Sequence, residues 1–274
     1  MAARGTGTAA APAAGRLEVS GGTIGYLSAG EGPPLLFLHG GGGAGQWHEA
    51  FTIWSREHRV ICPEHPGFAT SDELPEIEGV DDLVYHYLEV MDLLGLERPA
   101  IVGASFGGWL AAELAVHSPE RVGALALLSP VGLRLAEHPI TDVFFLKPAE
   151  IPLALFADPA RMPMPDGPPD VDALLAIYRD QTALARFTWA PFMANPKLER
   201  RLPRITAPTL VLWPEQDRIV PREHAERYAE RIPGAVLRTI PDCGHALYFE
   251  KPEEVAQAVG AFLSEAAASG GGQR

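Results

Sequence analysis

The chain has 274 residues, of which 47% are hydrophobic and 21% charged, and its formal net charge at pH 7 is −13. This composition is that of a globular protein, with room for one large α/β domain that carries an insertion. The acidic charge excludes nucleic acid as a partner, because phosphate binding needs clustered lysine and arginine, and we interpret the acidity as a solubility feature. No apolar run reaches ~18 residues, so the sequence predicts no membrane-spanning segment.

The two cysteines and the chain ends carry little functional signal. Cys62 and Cys243 are too few for a disulfide framework or a metal site, and we expect free thiols. Residues 1–15 are mostly Ala, Gly, Thr and Pro and lack the pattern of a secretory signal or a transit peptide. We therefore expect disordered tails over residues 1–15 and 264–274, and a cytoplasmic location by default.

Predicted strands and helices alternate along most of the chain. Alternating runs around Gly21-Gly22 predict a hairpin. Apolar runs and helical spacing then predict the remaining elements, with strands at 34–38, 59–62, 99–102, 122–128, 208–213 and 235–240, and helices at 46–55, 81–94, 109–116, 222–231 and 252–263. Such alternation favours a parallel sheet covered on both faces. Residues 132–203 contain no predicted strand, and we expect a helical insertion there, with a helix from Val171 to about Phe187. The predicted core then comprises residues 16–131 and 204–263.

A G-x-S-x-G motif lies where the chain passes from a predicted strand into a helix. Ser105 is its serine, and Gly103 and Gly107 flank it two residues away on each side. A serine on such a sharp turn is strained, and side chains at the two flanking positions would collide with the backbone. The motif predicts an exposed hydroxyl at a helix N-terminus. The alternative is a glycine-rich strand–helix turn without chemistry.

A serine hydroxyl becomes a nucleophile when a base takes its proton and a third group orients that base. His245 follows the last predicted strand and Asp217 follows the one before it. These positions predict a Ser105–Asp217–His245 triad, in which the serine, the acid and the histidine follow one another along the chain. Glu215, two residues earlier in the same loop, is a competitor for the acid, and Asp242 is a weaker one.

Backbone N–H groups must stabilise the oxyanion that forms when a serine attacks a carbonyl. The sequence offers the N–H of Phe106 and that of Gly41 or Gly42, in the glycine-rich loop that begins at His39. The alternatives are a flexible loop or a phosphate loop, although the lysine of a phosphate loop is lacking. We expect His39 to be a structural residue that hydrogen-bonds this loop. Chemistry of this kind requires no metal or organic cofactor.

These motifs together resemble the α/β-hydrolase fold superfamily, from about Arg16 to Leu263. The resemblance rests on residues 103–107, residues 39–43, Asp217 and Gly244-His245. It implies an eight-stranded, mostly parallel sheet with the second strand antiparallel, and a cap formed by residues 132–203. It also implies a wide separation between Cys62 and Cys243.

The loop at residues 39–45, with Trp47, is similar to that of the meta-cleavage-product hydrolases, which cut carbon–carbon bonds in dienes. That family typically has Asn and Met around the serine and Trp after the histidine, where this chain has Ala104, Phe106 and Ala246. Because position 105 is serine, the resemblance disfavours the haloalkane dehalogenases and epoxide hydrolases, which use an aspartate.

The sequence thus favours hydrolysis of a small carboxylic ester, thioester or lactone through an acyl-enzyme on Ser105. The alternatives are a carbon–carbon hydrolase of the meta-cleavage-product type, a hydroxynitrile-type lyase, or a slow receptor for a small ligand. The substrate is expected to be an apolar or aromatic acyl compound, and the oligomeric state and the role of Glu64 are not predicted. The side chains predicted to contact the substrate are Trp47, Trp109, Phe144, Phe145, Trp189 and Tyr248, with Phe187 and Phe192 as further aromatics of the insertion. Packing within the core is the alternative for each of them.

Overall fold

The computed structural model describes residues 11–43, 45–162, 167 and 170–270. Residues 1–10 and 271–274 of the predicted tails, Ala44 of the glycine-rich loop, and residues 163–166 and 168–169 lie outside the described residues. Within the described ranges, no helix combines the length and apolar character needed to cross a membrane.

The fold is built on one eight-stranded sheet, as the resemblance implies. Its strands are β1 (Ala13–Val19), β2 (Gly22–Ala29), β3 (Pro34–Leu38), β4 (Arg59–Pro63), β5 (Ala100–Ala104), β6 (Ala124–Leu128), β7 (Thr209–Pro214) and β8 (Val236–Ile240). Their spatial order is β1-β2-β4-β3-β5-β6-β7-β8. Strand β2 runs antiparallel to both β1 and β4, and every other neighbouring pair is parallel. The carboxyl ends of β3 and β5 to β8 therefore meet along one edge.

Helices of more than one turn cover the sheet or belong to the insertion. They are α1 (Glu49–Trp54), α2 (Val80–Leu93), α3 (Phe106–His117), α4 (Ile151–Leu155), α5 (Val171–Thr188), α6 (Leu198–Arg201), α7 (Arg222–Arg231), α8 (Leu247–Glu250) and α9 (Pro252–Gly270). Single 3₁₀ turns occur at Pro119–Arg121, Val143–Phe145, Pro159–Arg161 and Leu202–Arg204.

Both predicted tails are shorter than expected where the structure describes them. Strand β1 begins at Ala13, where Ala13 pairs with Ser28, because ladder hydrogen bonds use the backbone and tolerate small side chains. Helix α9 continues seven residues past Leu263 to Gly270. Its alanine-rich end has high helix propensity, and an ion pair between Arg238 and Glu265 (3.4 Å) holds the helix to β8.

The sheet separates two apolar layers. Along β3, Leu35 and Phe37 face α1 and α9, whereas Leu36 and Leu38 face α2 and α3. This alternation follows from the period of two in an extended strand. The Trp54 indole N–H donates to the Ala256 carbonyl (3.2 Å) and joins α1 to α9. The two layers bury the strands and leave their carboxyl edge for the site.

The described residues between β6 and β7 contain helices and one isolated bridge, Gly132 to Ala194, but no strand. This stretch, residues 132–203, is called the insertion below. Its helix α5 is bonded to the loop after β4 by three charged side chains: Arg179 donates to the Ser71 carbonyl (2.5 Å), Asp180 accepts from the Ala69 N–H (3.0 Å), and Arg186 donates to the Leu74 carbonyl (2.5 Å). The insertion is therefore seated on the core by polar contacts as well as by apolar packing.

Glu64, for which the sequence predicts no role, holds the loop after β4 in place. Its buried carboxylate accepts from the backbone N–H (2.8 Å) and the hydroxyl (2.7 Å) of Thr70. The N–H of Glu64 donates to the Gly25 carbonyl (2.9 Å). Glu64 therefore stabilises the loop after β4, against which α5 packs.

Candidate active site

Ser105 lies on a strained turn between β5 and α3, with φ +52° and ψ −112°. Its N–H donates to the Leu128 carbonyl of β6 (2.9 Å), which fixes the turn against the sheet. A Cβ on Gly103 would collide with the Gly107 carbonyl, and one on Gly107 would collide with the Leu38 carbonyl. The packing around the turn thus leaves room for glycine alone on either side, as the motif predicts.

We expect Gly107→Ala to destabilise the fold by about 3 kcal/mol, because its new methyl group would meet rigid backbone rather than a side chain that can move. Gly260→Ala is the matched control, since Gly260 lies in α9 with no heavy atom within 4 Å of the new methyl group. The control should gain about 0.5–1 kcal/mol from helix propensity. Urea unfolding of both variants checks the prediction, and a loss below about 1 kcal/mol for Gly107→Ala would contradict it.

The three residues of the predicted triad come together at the carboxyl edge of the sheet. His245 Nε2 lies 2.9 Å from Ser105 Oγ, and His245 Nδ1 lies 2.9 Å from Asp217 Oδ2. The side chain of Asp217 is fully buried and that of His245 is 8% exposed. Both ring nitrogens therefore have the partners that proton transfer from serine to histidine needs.

Asp217 is held as a carboxylate by several donors. Its Oδ1 accepts from the N–H groups of Ile219 (2.8 Å) and Val220 (2.9 Å), while its Oδ2 faces His245. Burial by itself raises the pKa of this carboxyl, but His245 and the hydrogen bonds outweigh burial and hold the pKa below its ordinary value. Asp217 is therefore an anion beside the imidazole.

Ser129 is a site residue that the motifs did not reveal. Its hydroxyl donates to Asp217 Oδ2 and lies 3.3 Å from His245 Nδ1. Ser129 directly follows β6 and is completely buried, with φ +45°. The signal that could have found it is its place, because Ser105 and Asp217 also lie just beyond the carboxyl ends of their strands.

The two competing acids lie elsewhere. Glu215 is exposed and its carboxylate accepts from the Asp242 N–H (3.3 Å), while Asp242 accepts from the Gln216 side chain (3.4 Å). Neither carboxylate forms a hydrogen bond with His245. Of the three acids near the ends of β7 and β8, only Asp217 contacts the histidine.

The loop at residues 39–43, called the oxyanion loop below, is held by two histidines, His39 and His65, whose ring centroids are 3.7 Å apart and whose planes are tilted by 35°. His39 Nε2 accepts from the His65 N–H (2.9 Å), so His39 Nδ1 carries the proton and donates to the Gly40 carbonyl (2.7 Å). His65 Nε2 donates to the His39 carbonyl (2.9 Å), and His65 Nδ1 accepts from the Tyr87 hydroxyl (2.5 Å). The expectation of a structural His39 is confirmed, with His65 as an unpredicted partner.

Both histidines are neutral. Burial lowers the pKa of His39 to about 4, although the bond to Gly40 opposes this effect. Burial, and next the neighbouring His39, lower the pKa of His65 well below its ordinary value. The hydrogen-bond pattern of each ring also requires one protonated and one unprotonated nitrogen. Burial and hydrogen bonding therefore both favour the neutral form of each ring.

These neutral histidines should make the fold sensitive to mild acid. The unfolded chain binds a proton at His39 below pH 6.5, whereas the folded chain does so only near pH 4, so the stability is present above pH 6.5 and is lost as the pH falls. His39 alone should lower the free energy of unfolding by about 2 kcal/mol between pH 8 and pH 5. His48 and His86, also lowered to about 4 by burial, act in the same direction. Urea unfolding at a series of pH values measures the slope, and a flat free energy down to pH 5.5 would contradict the prediction.

The glycines of the oxyanion loop lie against the serine and against α5. A Cβ on Gly40 would stand 3.3 Å from Ser105 Cβ, and one on Gly41 would stand 2.6 Å from Leu184 of α5. The Gly40 carbonyl is turned toward His39 and also accepts from the Gly43 N–H (3.2 Å). Because a trans peptide holds its carbonyl and N–H in opposite directions, the Gly41 N–H points away from His39. Gly42 has open space around its α-carbon.

For two of the predicted substrate contacts, the structure shows the alternative that the sequence left open, which is packing within the core. Tyr248 is 6% exposed and packs on Phe37 and Phe51, in the apolar layer beneath α1 and α9. Trp109 is 3% exposed, and its indole N–H donates to Glu113 (3.0 Å). The cause in both cases is the strong gain from burying a large aromatic ring within a packed layer.

The other predicted aromatics divide into two groups. Trp47 is half-buried on the core, where its indole N–H donates to Thr52 (2.9 Å). In the insertion, Phe144 packs on Trp189 and Phe192, whereas the Phe145 ring is largely exposed. Phe187 of α5 reaches the strained turn at Ser105, where its ring stacks on the Phe106 ring. The ring centroids are 6.1 Å apart and the ring planes differ by 6°. Leu184 and Phe187 therefore place α5 directly over the site.

A serine on a strained strand–helix turn, with an aspartate and a histidine at later strand ends of the same parallel sheet, defines the class of α/β hydrolases with a serine nucleophile. The family comparison agrees with the fold, since residues 35–258 match the model of the alpha/beta hydrolase family. The chain belongs to the alpha/beta hydrolase family.

Similar proteins include several named for one kind of reaction. The chain is 31% identical to a 2-hydroxy-6-oxo-6-phenylhexa-2,4-dienoate hydrolase of Comamonas testosteroni, over 84% of this chain and 87% of that protein. It is 31% identical to a 2-hydroxymuconate semialdehyde hydrolase of Pseudomonas putida, over 86% and 89%. A solved meta-cleavage product hydrolase from Pseudomonas fluorescens IP01 superposes with a TM-score of 0.76 at 25% identity, covering 92% of this chain and 98% of that one.

Proposed function

We propose that this protein hydrolyses a carbon–carbon bond beside a ketone, in a conjugated substrate of the kind its relatives are named for. The observation that carries the proposal is the assembled Ser105–His245–Asp217 hydrogen-bond chain in a protein whose similar relatives are dienoate and semialdehyde hydrolases. The oxyanion loop, which is similar to that of the meta-cleavage-product hydrolases, supports the same assignment.

Each residue has a role that follows from its geometry. Ser105 attacks the carbonyl carbon while His245 Nε2 takes its proton, and Asp217 stabilises the imidazolium. The N–H of Phe106 and the N–H of Gly41, turned away from His39, stabilise the oxyanion, with Gly42 as the second candidate in the loop. His245 then delivers its proton to the leaving group and activates water to release the acyl group.

Cleavage of a carbon–carbon bond requires a stabilised carbon leaving group, whereas cleavage of an ester releases an oxygen leaving group. The departing carbon must be protonated or its charge must be delocalised as the bond breaks. A 2-hydroxydienoate meets this demand once its 2-hydroxyl proton has moved to C5, because the 2-oxo group, conjugated through the C3=C4 double bond, then accepts the electron pair of the broken C5–C6 bond.

Hydrolysis of an uncharged carboxylic ester is the second candidate, and charge near the site favours it. A dienoate carries a carboxylate, yet Asp180 Oδ2 lies beside the oxyanion loop, 2.9 Å from where a Cβ on Gly43 would stand. Arg179 and Arg186, the cations of the same helix, already donate to backbone carbonyls of the core loop. The residues around Ser105 and His245 also favour ester hydrolysis. Meta-cleavage-product hydrolases typically have Asn, Met and Trp where this chain has Ala104, Phe106 and Ala246.

A comparison of kcat/KM between the two substrate classes tests the proposal. The protein is assayed with 2-hydroxy-6-oxo-6-phenylhexa-2,4-dienoate, followed by loss of its visible absorbance, and with p-nitrophenyl acetate, butyrate and benzoate. We expect kcat/KM for the dienoate to exceed that for the esters by about 100-fold or more. The reverse ranking would establish the ester hydrolase, and no turnover of either class would contradict both assignments.

A further inference from the structure

Glu250 is a buried carboxylate that the proposed chemistry does not use. It ends the short helix α8, five residues after His245, and is 2% exposed. Its Oε2 accepts from the N–H groups of Gly244 (2.7 Å) and Ala157 (3.0 Å), and its Oε1 accepts from the Asp158 N–H (2.8 Å). One carboxylate therefore joins the residue before His245 to a segment of the insertion that lies 93 residues before Glu250 in the chain.

The same segment of the insertion, residues 153–158, bonds to both loops of the triad. The Ala246 N–H, directly after His245, donates to the Leu155 carbonyl (2.9 Å). Arg218, directly after Asp217, donates to the Leu153 carbonyl (2.6 Å). Of the two neighbours of His245, Ala246 is thus bonded directly to the insertion and Gly244 is bonded to it through Glu250. The insertion also packs closely on Gly244, since a Cβ there would stand 2.6 Å from the Ala157 nitrogen.

The carboxylate is held by backbone donors rather than by a counter-charge. Among the described residues, no cationic side chain forms an ion pair with Glu250, and Arg161 donates instead to its backbone carbonyl (2.8 Å). Burying a carboxylate without its donors is costly, so each of the three N–H groups is needed where it is. Moving the 153–158 segment would break two of these bonds and disturb the third, at Gly244.

We propose that Glu250 is a positioning residue that couples the seating of the insertion to the orientation of His245. Its three hydrogen bonds fix the 244–246 backbone against residues 155–158, which holds His245 Nε2 toward Ser105 Oγ. This inference rests on the proposed function only in taking His245 as the base for Ser105.

Two substitutions separate this bridging role from a purely electrostatic one. Glu250→Asp keeps the charge but is one methylene too short to reach Gly244 and the insertion together. Glu250→Gln keeps the length and one acceptor oxygen, and loses the charge and the bond to one N–H. Glu253→Gln, an exposed acid three residues later, is the matched control for loss of one negative charge.

The first measurement is the rate at which a small fluorophosphonate labels Ser105, since labelling needs an activated serine but not the natural substrate. We expect labelling to slow by about 10- to 100-fold in Glu250→Asp, less in Glu250→Gln, and not at all in Glu253→Gln. With the substrate that the wild type turns over, kcat should fall in the same order while KM changes less than about threefold.

A faster rate in Glu250→Asp than in Glu250→Gln would assign an electrostatic role and overturn the proposal. Circular dichroism and melting temperature identify variants that fail to fold. If Glu250→Asp does fail, Glu250→Gln decides, and labelling at the wild-type rate in that variant would overturn the proposal. Because labelling is measured without a substrate, an error in the proposed reaction leaves this test intact.

Discussion

Ser105→Ala is expected to lower kcat by a factor on the order of 10⁴ or more, because among the described residues the hydroxyl that hydrogen-bonds His245 Nε2 is that of Ser105. The Ser129 hydroxyl is close to the imidazole, but it contacts Nδ1 on the Asp217 side and cannot replace the nucleophile. Turnover and fluorophosphonate labelling should disappear together in Ser105→Ala, whereas the fold should be unchanged by circular dichroism.

Ser129→Ala provides the comparison for this experiment, because it also removes one serine hydroxyl from the site. It should lower kcat by only about 10-fold, the value of one hydrogen bond to a charged group. Residual labelling in Ser105→Ala, or an equal loss in the two variants, would show that Ser105 is not the nucleophile.

Asp217→Asn is expected to lower kcat by a factor on the order of 10³ to 10⁴, and the cause can be read from the donors around the carboxylate. The N–H groups of Ile219 and Val220 require an acceptor at the Oδ1 position, so the amide oxygen of Asn must lie there. The amide NH₂ then faces His245 Nδ1 and donates to it. The imidazole proton is forced onto Nε2, where it blocks transfer of the Ser105 proton.

The competing acids provide the controls for Asp217→Asn. Glu215→Gln and Asp242→Asn remove one negative charge from the same pair of loops without touching His245, and their kcat should stay within about twofold of the wild type. Steady-state kinetics from pH 7 to 10, with melting temperatures for each variant, make the comparison. A larger loss in either control than in Asp217→Asn would assign the acid to that residue.

The sequence indicates the catalytic geometry well because the chemistry constrains the backbone locally. Gly103 and Gly107 are required by contacts with the Gly107 and Leu38 carbonyls, and these requirements are visible as a five-residue motif. Asp217 and His245 follow strands, and the carboxyl ends of parallel strands meet at one edge. Spacing and order favour Asp217 over Glu215 as the partner of His245, and Asp217 is the residue that contacts the histidine.

The burial of Trp109 and Tyr248 could not be predicted from the sequence, because periodicity fails in the elements that hold them. Eleven of the twelve residues of α3 are buried, so its pattern does not show which face carries Trp109. Helix α8 has four residues, too few for a period, and Tyr248 packs beneath the sheet rather than at the site. Phe187, within a longer amphipathic helix, was among the aromatics that the sequence assigned to the insertion.

The amino-acid sequence by itself therefore determined the alternation of strands and helices, the strained turn at Ser105, and the places of Asp217 and His245 just after strands, because each follows from local backbone demands or from the order of elements along the chain. Only the tertiary structure decided that Ser129 donates to Asp217, that Glu64 holds the loop under α5, and that Glu250 joins Gly244, the residue before His245, to the insertion. The hydrogen bonds of Ser129 and Glu250 span 88 and 93 residues. No local pattern marks the partners of such a contact, since the energy of a buried hydrogen bond depends on what the fold brings next to it.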